Sequence, residues 1–250
     1  MGALTGLLVV FVSPVMVSLP GAWAAGPCQP VHLEQVDRAD RLLRGESSQG
    51  RMTLRVYKRG TATLKMKFWS RGRSDFLVQL VAPSRLRGTA TLKSGENLWS
   101  YLPRLDRVMR LGPSMMGASW MGSHLTNDDL VKETELRRHY DCVSAEAQGE
   151  HLLVSLTPRP QAPVVWGRVE MKLRTQGALP VRTRYYDERG TLRRTLRFSD
   201  VRTVGGRTVP TRLVVQPADS ASERTVVTYE RLRFDLPIAD RTFTLQGLKR

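Results

Sequence analysis

The chain has few residues that carry metal or redox chemistry: 2 cysteines and 4 histidines in 250 residues. The histidines lack the spacing of a metal site, and no HExxH, paired CxxC or P-loop motif occurs. We therefore expect no metal and no cofactor. Ser123, His124 and Asp128 lie close together, but without a G-x-S-x-G elbow we expect His124 to be a surface loop histidine and the protein not to be an enzyme.

Long apolar runs are missing after the first segment, which excludes a second membrane span. Residues 1–25 contain an apolar stretch followed by the small-residue pattern Ala22-Trp23-Ala24. This pattern predicts a secretory signal peptide and a protein of the periplasm. The segment carries no Lys or Arg, so an uncleaved anchor is the alternative.

Export would place both cysteines in an oxidising compartment, where Cys28 and Cys142 can form a disulfide. Lipidation of Cys28 is an alternative that we rank lower, because Pro27 precedes it and the leucine of a bacterial lipobox is missing. The sequence does not establish the bond.

Acidic residues are scarce: 23 Asp and Glu stand against 39 Lys and Arg, a formal net charge of +16. Arginines alternate along the predicted strands at Arg182, Arg184, Arg193, Arg197, Arg231 and Arg233. We expect a basic surface that attracts an anionic membrane surface or an acidic partner, with an ordinary solvated face as the alternative. Nucleic acid fits the charge alone, but export argues against it.

The apolar pattern predicts one amphipathic helix and then a β-rich chain. Leu33, Val36, Ala39 and Leu43 recur at helical spacing within 31–44, before a stop at Gly45. From Met52 onward the period is two, and turn residues separate the strands. Besides the first two, predicted around 52–57 and 63–68, the strand candidates are 74–81, 89–94, 97–102, 107–111, 151–157, 167–174, 181–187, 191–199, 208–216 and 224–234.

About a dozen strands with short connections favour one large antiparallel sheet that curls to bury its apolar face. No composition break marks a boundary, so residues 26–250 are predicted to be a single domain. The exception to the strand pattern is the flap, residues 112–132, where Gly and Pro interrupt a dense apolar set. Thr126-Asn127-Asp128-Asp129 predicts the start of a short helix within it. The flap either lines a cavity for acyl chains or plugs the end of the core.

Several long stretches resemble the outer-membrane lipoprotein-sorting family, the Lol-like periplasmic carriers. They are residues 97–108, 113–122 and 126–131, with Pro163-Val-Val-Trp-Gly167, Tyr185-Tyr-Asp187, 195–200 and Phe243-Thr-Leu245 further along. The resemblance implies a mainly β (α+β) fold: a half-open antiparallel barrel with an N-terminal helix and a short helical flap covering its mouth. It also implies an apolar interior that shields lipid chains, with the lipid-binding region at Trp99, Tyr101, Met115, Met116, Trp120, Met121 and Leu125.

The leading interpretation is a non-enzymatic periplasmic carrier or chaperone for the acyl chains of lipoproteins or other lipids. It would work with an inner-membrane exporter and an outer-membrane acceptor. The main alternative is an interaction module or accessory subunit of an envelope transporter that carries no ligand. A lipid-modifying enzyme is the third hypothesis.

Overall fold

The computed structural model describes residues 26–132 and 135–249. The predicted signal peptide, residues 1–25, lies outside them. The helices are α1 Pro30–Arg41, α2 Asn127–Lys132, α3 Leu136–His139 and α4 Leu245–Leu248. The first strands are β1 Ser47–Tyr57, β2 Thr61–Arg71, β3 Asp75–Ala82, β4 Ala90–Ser94, β5 Asn97–Leu102 and β6 Arg107–Arg110. The others are β7 Tyr140–Gln148, β8 His151–Pro158, β9 Arg168–Arg174, β10 Leu179–Tyr186, β11 Leu192–Val204, β12 Arg207–Pro217 and β13 Arg224–Phe234.

The thirteen strands form one antiparallel sheet in the order β6-β5-β4-β3-β2-β1-β13-β12-β11-β10-β9-β8-β7. A twisted sheet of this width must curl, and bulges increase the local twist. One bulge lies at Gly50 of β1, where an added Cβ would stand 3.0 Å from the Phe68 ring. Strands β6 and β7 remain the two edges, so the sheet is a half-open barrel, as predicted.

The predicted alternation of side chains is confirmed on both halves of the sheet. Met52, Leu54 and Val56 are buried on the concave face of β1, and Val169, Met171 and Leu173 are buried on that of β9. Directly paired residues of neighbouring strands share a face. The concave face is therefore a continuous apolar surface from β3 through β1 and β13 to β8.

The observed strands differ most from the prediction at β1, which begins at Ser47 rather than near residue 52, and at β7 and β11. Strand β7 was not predicted, because its sequence YDCVSAEAQ has no clear apolar alternation and only Tyr140 and Ala145 are buried. Strand β11 continues to Val204, past the predicted end at 199, with Asp200 in a positive-φ conformation. Helix α1 ends at Arg41, before the positive-φ Gly45 that the sequence offered as its stop.

The segment after β13 folds back onto the convex face. Phe243 and Leu248 pack there against Leu77, Leu92 and Tyr101 of β3, β4 and β5. The convex face of β3, β4 and β5 is thereby covered. Within the described residues, no helix is both long enough and apolar enough to cross a membrane.

A disulfide joins Cys28, just before α1, to Cys142 of β7, with the two Cα atoms 5.7 Å apart. The segment before α1 also forms a backbone bridge from Gly26 to Ala145. Together these contacts fix the start of α1 at the β7 edge. Helix α1 then packs over the concave face of β7–β9 through Val36 and Ala39.

Candidate functional site

An apolar cavity of about 170 Å³ lies between the concave face and the elements above it. Its floor comes from strands of both halves of the sheet: Met52, Leu54, Phe68, Met171, Leu196, Phe198, Leu213, Val227 and Tyr229. Aromatic rings pack against one another along this floor. The Phe68 and Tyr229 rings meet edge to face with centroids 5.8 Å apart. A wall of this kind favours an apolar ligand.

The roof of the cavity is made of four short segments. They are the turn after α1 with Leu42 and Leu43, the flap with Trp120, Leu125 and Leu130, helix α3 with Leu136, and the loop 159–167 with Val164 and Trp166. Each segment contributes apolar side chains and is held by a few polar contacts. These segments, none of which belongs to the sheet, therefore cover part of the cavity.

The flap is folded on itself. The Trp120 amide donates to the Leu125 carbonyl at 2.8 Å, and the Asn127 amide donates to the Ala118 carbonyl at 3.0 Å. The predicted helix start is confirmed, because the Thr126 hydroxyl accepts from the Asp129 amide while the Asp129 carboxylate accepts from the Thr126 amide. The flap thus has a defined shape rather than an extended one.

A buried arginine fastens the flap to the sheet. Arg194 of β11 is 4% exposed, and its Nη1 donates to Asp129 Oδ2 at 2.6 Å while its Nη2 donates to the other carboxylate oxygen. The guanidinium also lies 4.4 Å from the Tyr185 ring centroid and 4.5 Å from that of Trp166. Burial alone would lower the pKa of Arg194, but the charge and hydrogen bonds of Asp129 raise it above the ordinary value. Asp129 and Arg194 are thus a charged pair at the edge of the cavity.

Further contacts made by Trp120 and His124 reinforce this closure. The Trp120 indole N–H donates to the Thr91 hydroxyl of β4 at 3.2 Å. The His124 backbone N–H donates to the Thr225 hydroxyl at 3.0 Å, and its ring Nε2 lies 3.2 Å from a Glu223 carboxylate oxygen. The expectation of a surface histidine was wrong: the His124 side chain is 10% exposed, because the flap presses it against β13.

A buried ion pair holds the residue before α3. The Lys93 ammonium donates to Glu135 Oε1 at 3.2 Å and to the Arg73 carbonyl at 2.8 Å. Burial lowers the pKa of Lys93. Burial disfavours the charged form of Glu135 and by itself would raise its pKa. The charge and hydrogen bond of Lys93, together with the hydrogen bond from His139, outweigh burial and hold the pKa of Glu135 below its usual range.

The structure separates the seven residues predicted to bind lipid into three groups. Trp120 and Leu125 line the cavity. Met115, Met116 and Met121 lie in the flap outside the lining; Met115 is exposed and Met121 packs against the core beneath. Trp99 and Tyr101 lie on the convex face, packed with the C-terminal segment. The seven residues therefore do not form one surface.

Most of the cavity lining was absent from the predicted site. Phe198 and Leu213 sit on strands whose apolar faces the alternation already identified, but the sequence gives no sign of which part of that face stays unfilled. Trp166 lies in the loop before β9, inside the stretch 163–167 that carried part of the family resemblance. The resemblance of residues 163–167 to the family could therefore have pointed to Trp166 as a site residue.

Fold and cavity together define a class: half-open antiparallel barrels with an apolar cavity beneath a helical cover. A family model described as "Uncharacterized protein" matches residues 72–250, and the chain belongs to that family. A search of curated proteins finds no match.

Solved structures confirm the predicted resemblance at the level of the fold. An outer membrane lipoprotein-sorting protein domain from Vibrio parahaemolyticus is 20% identical with a TM-score of 0.74, covering 88% of this chain and 98% of that one. A DUF1329 family protein from Desulfovibrio piger is 24% identical with a TM-score of 0.77, covering 87% and 98%. A LolA superfamily protein from Nitrosomonas europaea is 21% identical with a TM-score of 0.71, covering 86% and 97%.

Proposed function

We propose that this protein is a non-enzymatic periplasmic carrier or chaperone for the acyl chains of lipoproteins or other lipids bound for the outer membrane. The observation that carries the proposal is the partly covered apolar cavity between the concave face and the flap. The similarity to a lipoprotein-sorting domain supports the same class of ligand. An inner-membrane exporter and an outer-membrane acceptor would supply and receive the lipid.

The driving force for capture is the burial of apolar surface. Each methylene group that leaves water for the cavity contributes about 0.8 kcal/mol, so a few carbons of one acyl chain give several kcal/mol. Aromatic and aliphatic walls suit such a chain because it has no polar group to satisfy. The predicted role of Trp120 and Leu125 in lipid contact is retained in this proposal, because both line the cavity.

We interpret the structure as the form in which the flap lies over the cavity. Its volume of about 170 Å³ lies below the ~300–1,000 Å³ common for ligand sites. A long acyl chain therefore enters only when the flap moves away from the sheet. Closure over the empty cavity lowers the apparent affinity, because only the open fraction of molecules binds. Because the flap and the lipid compete for the cavity, the lipid can be released to a partner without an energy-supplying reaction in this protein.

The test uses two neighbouring residues of β12 that point to opposite faces. Leu213 lines the cavity, whereas Val214 pairs with Arg197 and Val226 on the convex face, and both side chains are half-buried. Leu213→Asp places a charge among apolar walls and should weaken binding of a fluorescent palmitate analogue roughly tenfold or more. Val214→Asp should leave the affinity within about twofold of the unmodified protein.

Circular dichroism and thermal melting of both variants check that the fold is kept. Equal affinity of Leu213→Asp, Val214→Asp and the unmodified protein would refute a ligand site in this cavity. The interaction-module alternative would then account better for the fold.

A further inference from the structure

The convex face carries cations that are paired in register on several neighbouring strands. Lys172 of β9 pairs with Arg182 of β10, which pairs in turn with Arg197 of β11. Two further strands carry another pair, Arg51 of β1 opposite Lys67 of β2. With Arg212 of β12, these six residues are called the basic face. Their strand neighbours Met171, Thr183, Leu196, Leu213 and Met52 point the other way, into the concave side.

This arrangement is unfavourable within the chain alone. Directly opposed residues of an antiparallel pair hold their Cβ atoms about 5 Å apart, and like charges at that distance repel. Within the described residues, Lys172, Arg182 and Arg197 form no ion pair. Glu170 lies on the same face in the adjacent pair with Arg184, and it is engaged by Arg168, Arg184 and the Tyr186 hydroxyl. In the described part of the chain, the row Lys172-Arg182-Arg197 therefore feels the charge of Glu170 but has no salt-bridge partner of its own.

The surroundings of the basic face fit a diffuse anionic surface better than a protein. Protein interfaces favour Arg as well, but they are depleted of Lys at their centre and their arginines usually stand beside buried aromatic anchors. The other cross-strand partners of the basic face are Leu153, Val214, Ser199, Thr228, Glu230 and Gln79, none of them aromatic. Long cationic side chains spread over several strands match anionic headgroups, whose attraction sums charge by charge.

We propose that the basic face docks this protein onto the surface of a membrane rich in anionic phospholipid. The C-terminal segment covers the convex face of β3, β4 and β5, and the cavity lies on the opposite side of the sheet from the basic face. A docked molecule therefore keeps its flap away from the bilayer and open to a protein partner. The docking needs no ligand in the cavity and stands apart from the carrier proposal.

The experiment measures binding to lipid vesicles by co-sedimentation. The vesicles contain phosphatidylglycerol and phosphatidylcholine in a three-to-seven ratio, with pure phosphatidylcholine as the neutral comparison. The variant is Lys172→Gln/Arg182→Gln/Arg197→Gln. The matched control is Arg85→Gln/Arg87→Gln/Arg104→Gln, which removes the same charge from exposed positions outside the strands.

The unmodified protein should bind the anionic vesicles at low salt, bind the neutral ones poorly, and dissociate in half-molar salt. The basic-face variant should bind on the order of 100-fold more weakly, whereas the control should weaken only a few-fold. If both variants lose the same amount of vesicle affinity, net charge alone explains the binding and the proposal is overturned. Binding to polyglutamate without binding to anionic vesicles would also overturn it, in favour of an acidic protein. Leu213→Asp should dock normally, so failure of the carrier proposal leaves this result unchanged.

Discussion

At the scale of single residues, the buried pair of Lys93 and Glu135 makes the sharpest prediction. The Glu135→Gln substitution leaves the Lys93 ammonium buried without its counter-ion, which should lower the free energy of unfolding by about 3–5 kcal/mol. Replacing both residues, Lys93→Met with Glu135→Leu, should cost far less, because no isolated charge remains buried. Urea unfolding of the three proteins measures the difference, and a double variant as unstable as Glu135→Gln would contradict it.

The same pair predicts a dependence on pH. Because the pKa of Glu135 is held below its ordinary value in the folded state, its stabilisation is complete above the unfolded carboxyl pKa of about 4.3. It is lost as the pH falls through the lower, folded pKa. Unfolding free energies measured from neutral to acidic pH should therefore decline less steeply in Glu135→Gln than in the unmodified protein. Parallel curves would exclude Glu135 as a source of the acid sensitivity.

Residue identity alone did not predict the cavity lining. Trp99 and Tyr101 have the aromatic character of a binding wall, but their places in β5 put them on the face that pairs with Leu92 and Ala90. Their apolar partners come from the C-terminal segment, which is more than a hundred residues away in the chain. The alternation of odd and even positions along β5 could have assigned its residues to the two faces of the sheet. It could not have shown which face the C-terminal segment covers.

At the scale of elements, the flap depends on the contact between Asp129 and Arg194. The Asp129→Asn substitution removes the negative charge that neutralises the buried Arg194 guanidinium. The flap should then be held less firmly against the sheet. Amide hydrogen exchange at residues 126–130 is expected to accelerate, while exchange in β1 and β13 stays slow. Asp141→Asn is the control, because it breaks the ion pair with Arg159, in which both side chains are about half exposed. Equal acceleration in the flap by both variants would contradict this role.

Strands were the most predictable elements. The alternation of Leu64, Met66 and Phe68 specified both the strand and its buried face, because one side of the sheet is apolar. Strand β7 escaped prediction because it lies at an edge, where pairing with β8 alone stabilises a polar sequence. The flap could be recognised as an exception to the strand pattern, yet its orientation depends on Arg194, far away in the sequence.

At the scale of the whole molecule, the disulfide joins the start of the described chain to the far edge of the sheet. It closes a loop with a sequence separation of 114, for which the chain-entropy model gives about 4–5 kcal/mol of stabilisation. The Cys28→Ser/Cys142→Ser variant should lose most of that free energy of unfolding, and adding a reductant should affect the unmodified protein but not the variant. Identical unfolding curves for the two proteins without reductant would contradict a stabilising role.

The overall architecture could be predicted because many short antiparallel connections leave few ways to bury one apolar face. The cavity could not be predicted, because its volume is the space that remains after α1, α3, the flap and the loop 159–167 have packed over that face. These elements come from four separate parts of the sequence. Their joint placement is a property of the folded chain rather than of any one motif.

The central claim is that the space beneath the flap holds acyl chains. The direct measurement is mass spectrometry of the organic extract from protein purified out of an oxidised, exported preparation, alongside Leu213→Asp and Val214→Asp. We expect acyl lipid to accompany the unmodified protein and Val214→Asp in near-stoichiometric amounts and to be depleted from Leu213→Asp. Lipid at the same trace level in all three proteins would contradict the account.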